Sequence, residues 1–141
     1  MELKNKTVAI DTMFFIYYFE GSAFSEKIEK ILKKVESGEA KAVTTVITLS
    51  EILAKPLEHK NLPLADEYKN ILNSFPNLTV LEINQYLATL AAGVRAKYKI
   101  KLPDALQIAG GLVSNADLFI TNDKKLKKIT EIKVLSLDRD F

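Results

Sequence analysis

Thr7-Val8-Ala9-Ile10-Asp11 is a short run of strand chemistry closed by a carboxylate, and variants of that pattern recur along the chain. Glu51 follows Ala42-Val43-Thr44-Thr45-Val46-Ile47, and Asp123 ends Leu118-Phe119-Ile120-Thr121-Asn122. Asp104 opens the apolar run Ala105-Leu106-Gln107-Ile108-Ala109. Short runs rich in β-branched and aromatic residues read as buried strands. A carboxylate at the edge of such a run costs free energy unless it is paired, hydrogen-bonded or metal-bound. Acids at the ends of four different buried elements point to one shared cation site.

Working outward, strand-length apolar runs alternate with longer segments of helical period, which predicts an α/β fold with a parallel sheet of four to five strands. The first strand is Thr7 to Ile10, followed by a short aromatic helix. Phe24, Ile28, Ile31, Leu32 and Val35 then recur at spacings of three and four, a helix that Ser37-Gly38 stops. A second strand is expected from about Lys41 to Val46, with Glu51 in the helix after it. Pro63 opens a helix reaching about Phe75, where Pro76 interrupts. Leu78 to Leu81 reads as a third strand, and Asn84 as the cap of a helix reaching about Tyr98. Pro103 fits the first turn of a helix running to about Asn115. Leu118 to Ile120 is the fourth strand, and Lys133 to Ser136 a fifth at an edge.

With 141 residues, no repeat and no linker, residues 1–141 read as one domain. There is no cysteine, which excludes disulfides and thiolate zinc sites. The segment Met1-Glu2-Leu3-Lys4-Asn5-Lys6 lacks a signal peptide's apolar core, and no apolar stretch approaches the ~18 residues of a membrane span. A soluble, cytoplasmic protein with no membrane partner is expected. The net charge of +2 matters less than its distribution.

In an open parallel sheet, ligands bind beyond the carboxyl ends of the strands. Asp11 and Asp123 directly follow strands and belong on that rim. Asp117 precedes the strand that Asp123 follows, which places it on the order of 20 Å away at the opposite edge. It reads as a strand-entry residue. Glu51 is near enough to reach over the rim, and Asp104 sits at the positive end of its helix. Each acid alone has a plain alternative. Asp11 or Asp123 could cap a helix, Asp104 could answer the helix dipole, and Glu51 could pair with Lys55. One common cause is simpler than four separate ones. Four carboxylates with no cysteine and a lone histidine, His59, suit a hard cation, Mg²⁺ or Mn²⁺. Such an ion acidifies water and stabilises charge growing on a phosphate, so phosphodiester hydrolysis by a metal-activated water is the chemistry expected.

Val8-Ala9-Ile10-Asp11-Thr12, Ser50-Glu51-Ile52, Leu102-Pro103-Asp104-Ala105-Leu106-Gln107-Ile108-Ala109 and Phe119-Ile120-Thr121-Asn122-Asp123 together resemble the acidic motifs of PIN-domain nucleases. The likeness spans nearly the whole chain, and the small format is similar to the VapC-type toxins of toxin–antitoxin modules. It implies a three-layer α/β/α fold and a Mg²⁺- or Mn²⁺-dependent endoribonuclease, commonly dimeric and neutralised by an antitoxin. It further implies that Asp11, Glu51, Asp104 and Asp123 are the catalytic, metal-binding acids. Thr12, Thr121 and Asn122 would support them. The chain departs from the family at Met13, where a small polar residue is frequent.

Lys124 and Lys125 are candidates for contact with RNA phosphates, within two lysine groups flanking the acids (Lys97, Lys99 and Lys101, and Lys124, Lys125, Lys127 and Lys128), and Arg95, on the helix before the third acid, could contact phosphate or pair with a carboxylate. The alternative for each is a solvated surface. Phe14 to Phe19 carries five rings that would spread around a helix, implying a protein-binding groove unless neighbouring helices cover them. His59 lies in a polar stretch and reads as exposed. Gly110-Gly111 reads as close helix packing. Two other functions compete: a catalytically silent PIN-like module that only binds RNA or protein, and aspartyl phosphoryl transfer with Asp11 as nucleophile.

Overall fold

The Thr7–Ile10 run is the central strand (β1) of a five-stranded sheet. The structure is a computed structural model that describes residues 2–141; Met1, the first residue of the expected unit, lies outside them. The other strands are Lys41–Thr45 (β2), Leu78–Leu81 (β3), Leu118–Thr121 (β4) and Lys133–Ser136 (β5). Their order is β3-β2-β1-β4-β5, and every neighbouring pair is parallel. In β1, Val8 pairs with Ala42 on one side and Leu118 on the other. The chain builds outward from β1 to β3, then returns to the far side of β1 for β4 and β5. That reversal leaves a crevice beyond the carboxyl ends of β1 and β4.

Strand side chains alternate between two cores, as a sheet buried on both faces requires. Val8, Ile10, Leu118 and Ile120 enter one core with residues of Thr12–Glu20 (α1), Ser25–Glu36 (α2), Val46–Glu58 (α3) and Leu62–Ser74 (α4). Ala9, Val43, Phe119 and Val134 enter the other, with residues of Gln85–Tyr98 (α5) and Leu102–Val113 (α6). The architecture is therefore α/β/α in three layers.

Helix boundaries follow local chemistry. Asn84 accepts from the Leu87 amide at 2.9 Å and caps α5, while Gly38 takes the left-handed φ of +84° just past α2. The second strand stops one residue before the expected Val46, because the Thr45 hydroxyl turns to cap α3 and accepts from the Ile47 amide at 3.2 Å. The last helix before β4 also ends early, at Val113. The segment after Asp123 is a single 3-10 turn, Lys124–Lys128. Among the described residues, no helix is long and apolar enough to cross a membrane.

The aromatic helix α1 is largely covered. Phe14 and Phe15 are buried, Phe19 stacks on Tyr68 of α4 at 4.3 Å, and Tyr17 lies 5.4 Å from Phe24. Tyr18 and Met13 retain substantial exposure. A groove of about 420 Å³ runs past the ends of α1, α3 and α4, with exposed His59 on its wall.

Candidate active site

Asp11 leaves β1 in extended conformation and caps α1, its Oδ1 accepting from the Thr12 amide at 2.8 Å. Its Oδ2 accepts from the Thr121 hydroxyl, at the end of β4, at 2.7 Å. The same Thr121 oxygen accepts from the Asp123 amide at 3.0 Å, so one threonine ties the two strand-end acids together. Asp123 Oδ1 in turn caps the 3-10 turn through the Lys125 amide at 2.9 Å. Glu51 comes from α3, and the Thr12 hydroxyl donates to its Oε1 at 2.8 Å. Asp104 lies in the first turn of α6 with no hydrogen-bond partner among the described residues. The capping roles and the clustering therefore coexist. Asp117 accepts from the Thr7 amide at 2.8 Å at the opposite edge, where β1 begins.

Glu51, Asp104 and Asp123 line one cleft of about 390 Å³. Asp11 is buried, at 7 % exposure, and is joined to Glu51 through Thr12. Burial pushes the Asp11 carboxyl up from 3.8 to about 6; hydrogen bonds from Thr121 and the Thr12 amide oppose this, and the charges of Asp104 and Glu51 add to it. Partial burial raises Asp104 too, with Asp123 and Glu51 next in effect and Lys101 and Lys125 opposing. None of the four acids forms an ion pair among the described residues. The acids raise one another, and the nearby Lys101 and Lys125 offset this only in part, a balance that a bound cation would complete. No three of these side chains, as placed, close on one point as a finished cage. Even so, an all-oxygen anionic donor set fits a hard divalent ion. Asn122, next to Asp123 in sequence, adds a buried amide oxygen without a partner among the described residues.

The lysines divide. Lys99, Lys101, Lys125 and Lys128 line the same cleft as the acids. Lys97 is paired with Glu131 at 3.3 Å and Lys127 with Asp140 at 2.6 Å, both away from it. Lys124 is not part of the cleft wall, and Arg95 donates to the Ile100 carbonyl at 3.4 Å.

Beneath the acids lies a polar layer absent from the sequence reading. Gln107 Nε2 donates to Thr12 Oγ1 and Thr48 Oγ1, both at 2.8 Å, while its Oε1 accepts from Thr45 at 2.8 Å. Thr44 donates to the Ile10 carbonyl at 3.0 Å and lies 2.7 Å from Thr48. Threonine in a strand reads as ordinary β propensity. The available signal was Gln107, an amide inside a buried helical run, which demands buried partners.

A family model of the PIN domain matches residues 8–141. The chain belongs to the PIN-domain family. This PIN domain also shares its fold with solved structures. A toxin–antitoxin complex from Klebsiella pneumoniae is 20 % identical with a TM-score of 0.70, covering 93 % of this chain and 97 % of that one. VapBC-1 from nontypeable Haemophilus influenzae is 18 % identical, TM-score 0.70, covering 94 % and 99 %. VapBC2 from Rickettsia felis, bound to a DNA fragment from its promoter, is 16 % identical, TM-score 0.69, covering 92 % and 98 %. No curated protein matches this PIN domain.

Proposed function

We propose that this PIN domain is a Mg²⁺- or Mn²⁺-dependent endoribonuclease, the cytoplasmic toxin of a toxin–antitoxin pair, with residues 1–141 acting as one domain. The observation that carries the proposal is a lysine-walled cleft lined by Glu51, Asp104 and Asp123, with buried Asp11 tied to Asp123 through Thr121 and to Glu51 through Thr12. The four acids would hold the ion, with Thr12, Thr121 and Asn122 supporting them. When bound, the ion supplies charge against the phosphate and a more acidic water. The chain's own share is to bind and orient. Lys99, Lys101, Lys125 and Lys128 set positive charge around the cleft for a phosphodiester backbone. Thr121 holds Asp11 and the Asp123 backbone in fixed relation. Water is the nucleophile, and no side chain forms a covalent bond.

An antitoxin partner is supported by the shared fold with toxin–antitoxin complexes, while RNA as substrate and a homodimer as the working form are what the resemblance of the acidic motifs to VapC-type toxins implies. The groove beside α1, α3 and α4, with exposed Leu57 and Leu62 nearby in sequence, supports a protein partner. Against aspartyl phosphoryl transfer stands the burial of Asp11, whose two oxygens both already accept hydrogen bonds.

The test is cleavage of labelled structured RNA with Mg²⁺ or Mn²⁺, with EDTA, and with a folded Asp11→Asn control. Metal-dependent cutting that the variant loses is the expected result. Full cutting by a folded Asp11→Asn protein would sink the proposal. Absence of both cutting and Mn²⁺ binding would favour the silent module.

A further inference from the structure

We propose that Gln107 is a positioning residue for the metal-binding acids: by donating both amide protons to threonines, it directs the Thr12 hydroxyl proton onto Glu51. This inference rests on the metal-dependent reading of the acid cluster and specifies how one of its carboxylates is held.

The support is a count of protons. Thr44 has one hydroxyl proton, and it goes to the Ile10 carbonyl. The 2.7 Å contact between Thr44 and Thr48 must then use the Thr48 proton. Thr45 donates to Gln107 Oε1, and in that orientation its proton and both amide protons find acceptors, whereas a flipped amide would leave the Thr45 proton with none among the described residues. That fixes which end of the amide is which. Gln107 Nε2 therefore faces Thr12 and Thr48 and gives one proton to each. With the Thr48 proton committed to Thr44, the Thr12 proton has two acceptors in reach, Thr48 Oγ1 at 3.1 Å and Glu51 Oε1 at 2.8 Å, and the nearer, charged carboxylate takes it. A flipped amide would present Oε1 to Thr12 and Thr48, draw the Thr12 proton inward and release Glu51.

Helix geometry makes the relay local. Thr48 and Glu51 are three apart on α3, as are Asp104 and Gln107 on α6, so each pair shares a helix face. Glu51 is exposed, and the bond from Thr12 is the only hydrogen bond of its side chain among the described residues. Gln107 is 3 % exposed and does not line the cleft, so its reach to the site runs through Thr12.

The experiment is Mn²⁺ binding by the metal-free protein, read by electron paramagnetic resonance, for the unaltered chain, Gln107→Met, Glu51→Gln and the double variant. Methionine keeps the length and bulk of Gln107 without its donors. Loss of a partner that orients a metal ligand is expected to weaken binding roughly 10-fold. In the Glu51→Gln background the same change should add less than about twofold, because the residue it acts through has already been altered. A folded Gln107→Met protein that binds Mn²⁺ as tightly as the unaltered chain overturns the inference and leaves the metal site standing. So does a loss that persists undiminished in the Glu51→Gln background. An unaltered chain that binds no Mn²⁺ fails the metal reading itself and takes this inference with it. If Gln107→Met does not fold, the decision passes to NMR of the unaltered chain. Slowly exchanging Gln107 side-chain amide protons that shift on adding Mg²⁺ support the relay, and fast-exchanging or unmoved ones overturn it.

Discussion

Replacing Asp11 by asparagine should make the metal-free protein more stable near neutral pH. Burial raises the Asp11 carboxyl from 3.8 to about 6, so the folded state holds that proton more tightly than the unfolded chain does. The associated stability is complete below about pH 3.8 and is lost as pH rises through about 6. A displacement of that size corresponds to about 3 kcal/mol at about pH 8. Asparagine keeps an oxygen for the Thr12 amide but turns an NH₂ toward Thr121, whose hydroxyl proton loses its acceptor at a cost of about 1 kcal/mol. The net gain is about 2 kcal/mol. At an unfolding entropy of roughly 2.1 cal/mol/K per residue, that raises Tm by roughly 5–7 °C. Thermal unfolding by circular dichroism in EDTA, from about pH 4 to about pH 8, is the assay. The advantage should vanish toward about pH 4 and shrink in Mg²⁺, since ligand at about 100 times its Kd stabilises the unaltered chain by about 2.7 kcal/mol. An Asp11→Asn protein no more stable than its parent in EDTA at about pH 8, or a gap that ignores pH, would refute the reasoning.

Further outcomes are expected. In EDTA, Lys125→Ala or Lys99→Ala should lower the slope of log affinity for single-stranded RNA against log salt by about 0.7 each, because both line the cleft. Lys127→Ala, which removes a lysine paired with Asp140, should leave the slope unchanged in the same filter-binding titration. Gly110→Ala would bring a Cβ within 2.6 Å of Thr45 Cγ2, so chemical denaturation should show a loss of about 1–3 kcal/mol. Because Thr45 is the residue that orients Gln107, Mn²⁺ affinity should fall with it.

Asp11, Asp104 and Asp123 stood out in the sequence because each lies at the edge of an element, whereas Glu51 lies inside α3 and is exposed. Placing Asp123 and Asp117 at opposite ends of one strand needed only the length of Leu118–Thr121, and Asp117 does lie where β1 starts. Gly110 and Gly111 were legible as close packing because a glycine pair inside a helix has little other use; α6 approaches Thr45 and Ala9 there. The aromatic helix was less so. Ring spacing around α1 implied that some rings stay exposed: Tyr18 does, while Phe24 and Tyr68 partly cover Tyr17 and Phe19.

What the sequence by itself determined is the alternation of elements, the parallel α/β class and the acids at its seams, since these depend on residues a few positions apart. Only the tertiary structure decided the strand order, which lysines wall the cleft, and the layer of Thr44, Thr45, Thr48 and Gln107 under the acids. Those depend on contacts between residues far apart in the chain, such as Thr12 with Gln107 and Asp11 with Thr121. A threonine hydroxyl has one proton and many candidate acceptors, and only the packed fold selects where that proton goes.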